Sequence, residues 1–199
     1  MESKDEKKNK SLIVTLYSST QLLGWSYILY EILKYTFNYH DARSLNKSLL
    51  ALKIFQTLQL FDIVFALLKM TKSNIYASIV QVIARIINTF WLYHYSTPRT
   101  IILLTLYPWS ISDIIRSLYY LFKDYYFIQF LRYNLFLILY PLGVTGEVLA
   151  IEYYRTFHND LTYFLRLVQL LLIIGFLFLY VYLFKQRKQF YKKAILKKN

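Results

Sequence analysis

The sequence predicts an all-α, polytopic membrane protein built as a bundle of six transmembrane helices. Of its 199 residues, 57% are hydrophobic and only 18% are charged, which leaves too little polar surface to coat a water-soluble domain. A transmembrane helix needs about 20 mostly apolar residues, and six segments of the chain meet that requirement. We expect the spans at residues 11–37, 48–68, 74–95, 99–121, 125–150 and 161–184.

The separators between these segments carry the turn and charged residues that end helices. In chain order they read "NYHDARSLNK", "KMTKS", "STPR", "FKDY" and "EYYRTFHND". The first span is long and has no clear signal-peptide cleavage site, so we expect it to be retained as a helix. These boundaries predict a cytosolic N-terminal tail (residues 1–10), a six-helix membrane domain (residues 11–184) and a basic cytosolic C-terminal tail (residues 185–199).

The distribution of lysine and arginine predicts the orientation in the membrane. With six spans, the two termini share one face with the second–third and fourth–fifth loops, and this face holds 14 basic residues, whereas the opposite loops hold 4. Because cytosolic loops carry the excess of basic residues, both termini should face the cytosol. Much of the net charge of +13 then lies in a tail beside anionic lipid head groups, and we do not expect nucleic-acid binding.

The sequence also excludes several kinds of site. It contains no cysteine, which excludes thiolate–zinc sites, iron–sulfur clusters and a cysteine nucleophile. Its three histidines, His40, His94 and His158, are far apart and have no metal-ligand spacing. We therefore expect neither a bound metal nor a redox cofactor.

Polar side chains within the predicted spans point to a site, because ionisable groups are costly in lipid and usually mark a pathway or a functional centre. Two pairs, Gln81–Arg85 and Asp113–Arg116, have spacings that let helical neighbours share a face. Six polar residues from four spans lie about 8–16 Å from the cytosolic helix ends: Asp62, Gln81, Arg85, Asp113, Arg116 and Arg132. Their convergence predicts a polar cavity that opens to the cytosol.

The fifth span adds a tyrosine and a carboxylate at greater depth. Tyr140 and Glu147 are seven residues apart, and seven helical steps return to nearly the same face. Pro141 should bend the helix between them, while Gly143 and Gly146 leave room for a ligand or a neighbouring helix. Two interpretations remain open on residue chemistry: a kinked helix whose tyrosine bonds the carboxylate, or a catalytic pair.

The segment that holds this pair, "RYNLFLILYPLGVTGE", resembles the signature of the 3-hydroxyacyl-CoA dehydratase family, also called the protein tyrosine phosphatase-like A family. The segments "GWSYIL", "SNIYASIVQVIARI" and "WSISDIIR" are similar to family segments in the same order, and the resemblance covers about residues 12–184. It implies a six-span enzyme of the endoplasmic reticulum membrane, a lyase that converts 3-hydroxyacyl-CoA into trans-2-enoyl-CoA during fatty-acid elongation.

The resemblance also assigns residues. It implies that Tyr140 and Glu147 are catalytic, and that supporting roles belong to Arg132, Gly143, Gln81 and Arg85. Asp62 and Asp113 match acidic positions at which the family more often has the longer glutamate. Phe65 stands where the family often has a histidine, a difference that concerns the surroundings of the site rather than the catalytic pair.

The implied reaction needs a base for the C2 proton and an acid for the leaving C3 hydroxyl, and the sequence does not decide which of Tyr140 and Glu147 plays which role. Arg85, Arg116 and Arg132 suit the phosphate or pantetheine end of coenzyme A. The substrate itself carries the coenzyme, so no separate cofactor is expected. The expected partners are this substrate, the lipid membrane and other membrane enzymes of elongation.

Two other functions are compatible with a polytopic helical protein of this kind. A catalytically inactive homologue that acts as a scaffold for elongation enzymes is disfavoured by the intact Tyr140 and Glu147 pair. A small transporter is disfavoured because the sequence shows no internal repeat, whereas transporters commonly pair broken helices in two similar halves.

Overall fold

A computed structural model describes residues 4–37, 41–71, 74–94 and 97–196, and the chain is helical throughout these ranges apart from short connections, which confirms the all-α class. The helices are α1 (Lys4–Phe37), α2 (Ala42–Leu58), α3 (Leu60–Leu67), α4 (Ile75–His94), α5 (Arg99–Leu121), α6 (Tyr126–Asn134), α7 (Phe136–Arg155) and α8 (Thr162–Leu196), with a 3₁₀ turn at Asn159–Leu161.

The predicted spans are all helical, but two of them are interrupted. The second span consists of α2 and α3, which are separated at Gln59, and the fifth consists of α6 and α7, which are separated at Leu135. Both residues keep right-handed helical dihedral angles, so each interruption is a short irregularity rather than a loop. Helices α1 and α8 also extend into the segments that the sequence assigns to the two terminal tails.

By length and composition, four helical stretches within the described ranges are suited to cross a membrane. They are Ala42–Leu67, Arg99–Leu121, Phe136–Arg155 and Thr162–Lys192. The apolar part of α4, Ile75–Phe90, is shorter. The chain is therefore a helical protein with several apolar helices, while the count of six spans stays a prediction that depends on α1 and α4.

The apolar core lies among α1, α2 and α5. Trp25 and Ile28 of α1, Leu52 of α2 and Leu106 of α5 are completely buried there. Gly24 allows α1 to approach α2, because a side chain in its place would overlap the ring of Phe55. This tight packing fixes the position of α5, which carries Trp109 at the edge of the core.

Helix α7 packs on α5 and runs through Pro141 without a break. Proline has no N–H to donate, so the carbonyl of Leu137, one turn earlier, loses its partner within the helix. The hydroxyl of Tyr180 in α8 donates to that carbonyl at 3.3 Å and satisfies it. The interruption of the helix lies instead at Leu135, before the proline.

At the opposite end of α7, a polar cluster ties the helix to the beginning of α8. The carboxylate of Glu152 accepts hydrogen bonds from Arg155 and from Gln169, the latter at 3.1 Å, and pairs with Arg166 at 3.2 Å. Gln169 also donates to the carbonyl of Val148 at 3.3 Å, which sets the level of α8 against α7.

Candidate active site

Two adjoining cavities lie beside α7. The inner cavity, of about 380 Å³, is lined by α4, α5, α7 and α8. The outer cavity, of about 350 Å³, is lined by the same helices and by α6. Polar residues on the wall that both cavities share are Gln81, Ser112 and Tyr140. A molecule that filled both cavities would therefore pass Tyr140.

Glu147 lines the inner cavity, and two donors hold its carboxylate. The indole Nε1 of Trp109 donates to Oε1 at 2.9 Å, and the amide Nδ2 of Asn88 donates to Oε2 at 3.2 Å. All three side chains are buried, with 6%, 2% and 1% of their surface exposed, respectively. Because each oxygen has its own donor from a different helix, the carboxylate has a fixed orientation in the cavity.

The tyrosine and the carboxylate share the inner cavity, as their spacing of seven residues predicts for side chains on one helical face. Among the described residues the structure shows no hydrogen bond between Tyr140 and Glu147; the carboxylate bonds to Trp109 and Asn88 instead. The arrangement thus differs from a tyrosine that merely satisfies a neighbouring carboxylate.

Buried charges beside the cavities form an alternating row that crosses three helices. Arg85 of α4 pairs with Asp113 of α5, and Arg116 of α5 lies 3.8 Å from the same aspartate. Arg116 also pairs with Asp62 of α3 at 3.0 Å. Two arginines and two aspartates balance in charge, which reduces the cost of burying each of them. We call this row the charge ladder.

The local pairing predicted for Asp113 and Arg116 exists, but the shorter contacts of the ladder join different helices. Tyr17 of α1 adds a further polar group, because its hydroxyl lies beside the Asp62 carboxylate. Phe65 is buried against the ring of Tyr17, with the ring centroids 5.0 Å apart. The phenylalanine therefore packs against an aromatic ring of α1 and lines neither cavity.

Arg132 of α6 stands outside the ladder. Its guanidinium carbon lies 4.1 Å from the ring centroid of Tyr119 and 5.4 Å from that of Tyr120, a cation–π arrangement. Its Nη1 atom, like Nη1 of Arg116, is buried without a hydrogen-bond partner. Both arginines line the outer cavity, and none of the residues described on its wall is acidic. The outer cavity is therefore suited to an anion.

The sequence assigns these polar residues to one cytosolic cavity, but in the structure they are divided between the outer cavity, the inner cavity and the buried charge ladder. Arg116 and Arg132 line the outer cavity, Arg85 lines the inner cavity, and Gln81 lines both. The two aspartates of the ladder line neither cavity, so they act on the site through the arginines that they bind.

The two glycines of α7 differ in their surroundings. A Cβ atom at Gly143 would lie 3.5 Å from Cδ1 of Trp109, an ordinary contact, on the wall of the inner cavity. A Cβ atom at Gly146 would overlap the Thr105 hydroxyl and lie 2.9 Å from the Thr105 backbone nitrogen. Gly146 is thus the residue that lets α7 approach α5, and Gly143 keeps space open beside Trp109.

Asn88 and Trp109 were not identified as site residues from the sequence. Gln81, Arg85 and Asn88 follow one helical face at the spacing i, i+4 and i+7, and this pattern was the available signal for Asn88. Trp109 opens the segment "WSISDIIR", but nothing in its spacing connects it to Glu147. Within the described ranges, no three histidine or acidic side chains are grouped so that they could hold a metal ion.

Comparisons with known proteins agree with the resemblance seen in the sequence. The model of the family described as "Protein tyrosine phosphatase-like protein, PTPLA" matches residues 56–193. The chain is 33% identical over 146 residues to mouse "Very-long-chain (3R)-3-hydroxyacyl-CoA dehydratase 1", an alignment that covers 69% of this chain and 52% of the mouse protein. No solved structure matches the chain.

Two further relatives carry similar names. The Caenorhabditis elegans protein "Very-long-chain (3R)-3-hydroxyacyl-CoA dehydratase hpo-8" is 34% identical over 144 residues, which cover 68% of this chain and 66% of that protein. Arabidopsis thaliana "Very-long-chain (3R)-3-hydroxyacyl-CoA dehydratase PASTICCINO 2" is 30% identical over 215 aligned residues, which cover 93% and 95%. The chain spans about half the length of the mouse relative. Because the family model matches well over half of the chain, the chain belongs to the protein tyrosine phosphatase-like (PTPLA) family.

Proposed function

We propose that the protein is a very-long-chain 3-hydroxyacyl-CoA dehydratase, a lyase that removes water from 3-hydroxyacyl-CoA to give trans-2-enoyl-CoA in the fatty-acid elongation cycle. One observation carries the proposal: Tyr140 and Glu147 line the same buried cavity, and that cavity adjoins a second one lined by Arg116 and Arg132, with no acidic residue on its described wall. The names of the relatives support the same reaction.

In this proposal Glu147 is the base and Tyr140 is the acid. Both oxygens of Glu147 accept hydrogen bonds from uncharged donors, which holds the carboxylate in a fixed orientation to receive a proton. Glu147 takes the C2 proton, the electrons of that C–H bond form the C2–C3 double bond, and the C3–O bond breaks. Tyr140 gives its proton to the departing hydroxyl, which leaves as water, and a proton returns from Glu147 to Tyr140 to reset the pair.

The substrate would lie across both cavities. Its phosphate-bearing coenzyme A end suits the outer cavity, because Arg116 and Arg132 line it and guanidinium groups form charge-assisted hydrogen bonds with phosphate. The thioester and the C3 hydroxyl would then reach the shared wall at Tyr140, and the acyl chain would enter the apolar inner cavity. We assign supporting roles to Gln81 and Arg85 on these walls and to Gly143 beside Trp109.

We further propose that six spans place the protein in the endoplasmic reticulum membrane with both termini in the cytosol. The excess of basic residues on one face supports this orientation. The outer cavity includes Asn74, next to the second–third loop, and Gln186 of the C-terminal part of α8, and the proposed topology assigns both to that basic face. Coenzyme A esters would then enter from the cytosol. Other membrane enzymes of elongation are the proposed partners, and the reaction requires neither a metal nor a redox cofactor.

The direct test is turnover by the purified protein in proteoliposomes. We expect enoyl-CoA to form from 3-hydroxypalmitoyl-CoA, and hydration of the enoyl-CoA to be catalysed in reverse. A double variant, Tyr140→Phe with Glu147→Gln, is the control for contaminating activity. If the wild-type protein binds the ester but forms no more enoyl-CoA than the double variant, it is an inactive homologue and the proposal is wrong.

A further inference from the structure

The inner cavity has an apolar wall beyond Glu147, formed by α4 and α8. Ile83 and Ile87 contribute from α4, and Val168 and Leu171 contribute from α8. The hydrogen bond from Gln169 to the carbonyl of Val148 places this part of α8 at the level of Glu147. An acyl chain that has its C2 and C3 atoms at the catalytic pair would therefore continue along this wall.

Three side chains of this wall line the cavity and are also exposed on the surface of the protein. Ile83 and Ile87 line the cavity but remain 47% and 40% exposed, and Leu171 remains 59% exposed. Nearer the outer cavity the same two helices touch, since a Cβ atom at Gly175 would lie 3.0 Å from Cγ1 of Val80. The helices are thus in contact at Gly175, whereas one to two turns away their cavity-lining side chains are accessible from outside. We infer a gap between the helices at that level, which we call the α4–α8 slit and define by Ile83, Ile87, Val168 and Leu171.

We propose that the acyl chain of the substrate leaves the inner cavity through the α4–α8 slit and extends into the lipid bilayer. The proposal rests on the proposed dehydratase function. The slit is apolar on both sides, so methylene groups that pass through it remain in an apolar environment throughout. The outer cavity holds the anionic end of the ester at the other end of the site, which leaves the slit free for the tail.

This geometry determines how the site responds to chain length. A closed pocket of about 380 Å³ would set an upper limit, because interiors are close-packed and cannot accept further methylenes without strain. An open slit sets no such limit. We therefore expect kcat/KM to rise with chain length until the tail reaches the slit, and then to stay level for longer chains.

The test blocks the slit with a bulky side chain and compares a neighbouring position. Leu171→Trp places an indole in the slit, whereas Ile174→Trp, on the same helix, places it at a site that is 53% exposed and does not line the cavity. Each protein is assayed in proteoliposomes with 3-hydroxybutyryl-, 3-hydroxyoctanoyl-, 3-hydroxypalmitoyl- and 3-hydroxyarachidoyl-CoA. Ile83→Trp blocks the slit from α4 and serves if Leu171→Trp does not fold.

We expect Leu171→Trp to lower kcat/KM for the two longest esters by about tenfold, the effect of losing the burial of two methylene groups. Turnover of 3-hydroxybutyryl-CoA should be unchanged, and Ile174→Trp should follow the wild type with every ester. An equal effect of Leu171→Trp on all chain lengths, or no effect on any, would overturn the slit proposal while leaving the dehydratase function intact. Absence of turnover by the wild-type protein would instead contradict the function itself.

Discussion

The inner and outer cavities share a wall at Tyr140 but differ in chemistry. The outer cavity presents the guanidinium groups of Arg116 and Arg132 with no acidic residue on its described wall. The inner cavity is mostly aliphatic, and its one carboxylate, Glu147, is held by two neutral donors. The difference separates two tasks: attraction of an anionic group in one space, and proton transfer next to an apolar chain in the other.

The charge ladder explains how the cavities can differ at such short range. Arg85 faces the inner cavity, but its charge is balanced by Asp113, and Arg116 is balanced by Asp62. Among the described residues, Arg132 has aromatic rings rather than a carboxylate beside it. The net positive charge of the region therefore belongs to the outer cavity. Substitutions in the two cavities and in the ladder should accordingly have different effects on binding, chemistry and stability.

The largest expected effect lies in the inner cavity. Tyr140→Phe and Glu147→Gln each remove a proton-transfer group at nearly constant shape, so each should lower kcat by about 10²–10⁴-fold. The unfolding temperature of the detergent-solubilised protein should stay near that of the wild type. Steady-state formation of enoyl-CoA measures the rate.

Glu152→Gln is the matched control for this pair, because Glu152 is on the same helix but lines neither cavity. It should keep turnover close to the wild-type value. Near-native turnover by Tyr140→Phe or Glu147→Gln would show that the altered residue does not take part in the chemistry.

The next largest effect concerns the stability of the fold, to which the charge ladder contributes through Arg116. From the sequence alone, Arg116→Ala should mainly weaken binding of the head group, but the pairing with Asp62 changes that expectation. The substitution leaves a buried carboxylate without its cation, which should destabilise the fold by about 3–5 kcal/mol. Unfolding of the solubilised protein by heat or denaturant measures the loss.

Adding Asp62→Asn to Arg116→Ala should recover part of that stability, because the unpaired charge is removed. Arg132→Ala leaves no carboxylate unpaired in the described structure, so it should lose only its cation–π contacts, about 0.5–2 kcal/mol, and be more stable than Arg116→Ala. An Arg116→Ala variant as stable as the wild type would mean that the ladder contributes little.

A smaller effect is expected at Asn88, the partner of Glu147 on α4. Asn88→Ala frees one oxygen of the carboxylate to turn, and misplacement of a reacting group by about 1 Å typically costs about 10²-fold in rate. We expect kcat to fall by about that factor while KM stays within about threefold of the wild type.

Thr89→Ala is the control for Asn88→Ala, since the buried Thr89 hydroxyl bonds only within its own helix, to the carbonyl of Arg85. It should leave kcat unchanged. If both alanine variants lowered kcat and the unfolding temperature to the same degree, Asn88 would support the helix rather than orient Glu147.

Much of the fold was predictable because each helix is encoded by the composition of one continuous segment of the chain. Long apolar segments predict helices from composition, and the structure has a helix in each. The interruptions were not predictable in the same way. Pro141 marks a lost hydrogen bond, but Tyr180 satisfies the freed carbonyl from another helix, and the break falls at Leu135, which has no distinctive residue type.

The site was predictable where its residues lie on one helix, because their spacing in the sequence decides which of them share a face. The spacing of Tyr140 and Glu147 on α7 is enough to place both on one cavity wall. Contacts between helices could not be predicted from the sequence, because the pairing of Arg85 with Asp113 depends on how α4 and α5 are rotated against each other. The same holds for the bond from Trp109 to Glu147, which joins a core residue to the site.

The central claim, that one cavity binds and the other reacts, is tested most directly by the separation of kcat from KM in two variants. Both Glu147→Gln and Arg132→Ala are assayed with 3-hydroxypalmitoyl-CoA in proteoliposomes, beside the wild type. Glu147→Gln should lower kcat by about 10²–10⁴-fold and leave KM near the wild-type value. Arg132→Ala should leave kcat near the wild-type value and raise KM by about tenfold or more, the usual effect of losing a hydrogen bond to a charged group. A fall in kcat at constant KM in Arg132→Ala would show that this arginine supports Tyr140 in the chemistry, and it would contradict the division between the two cavities.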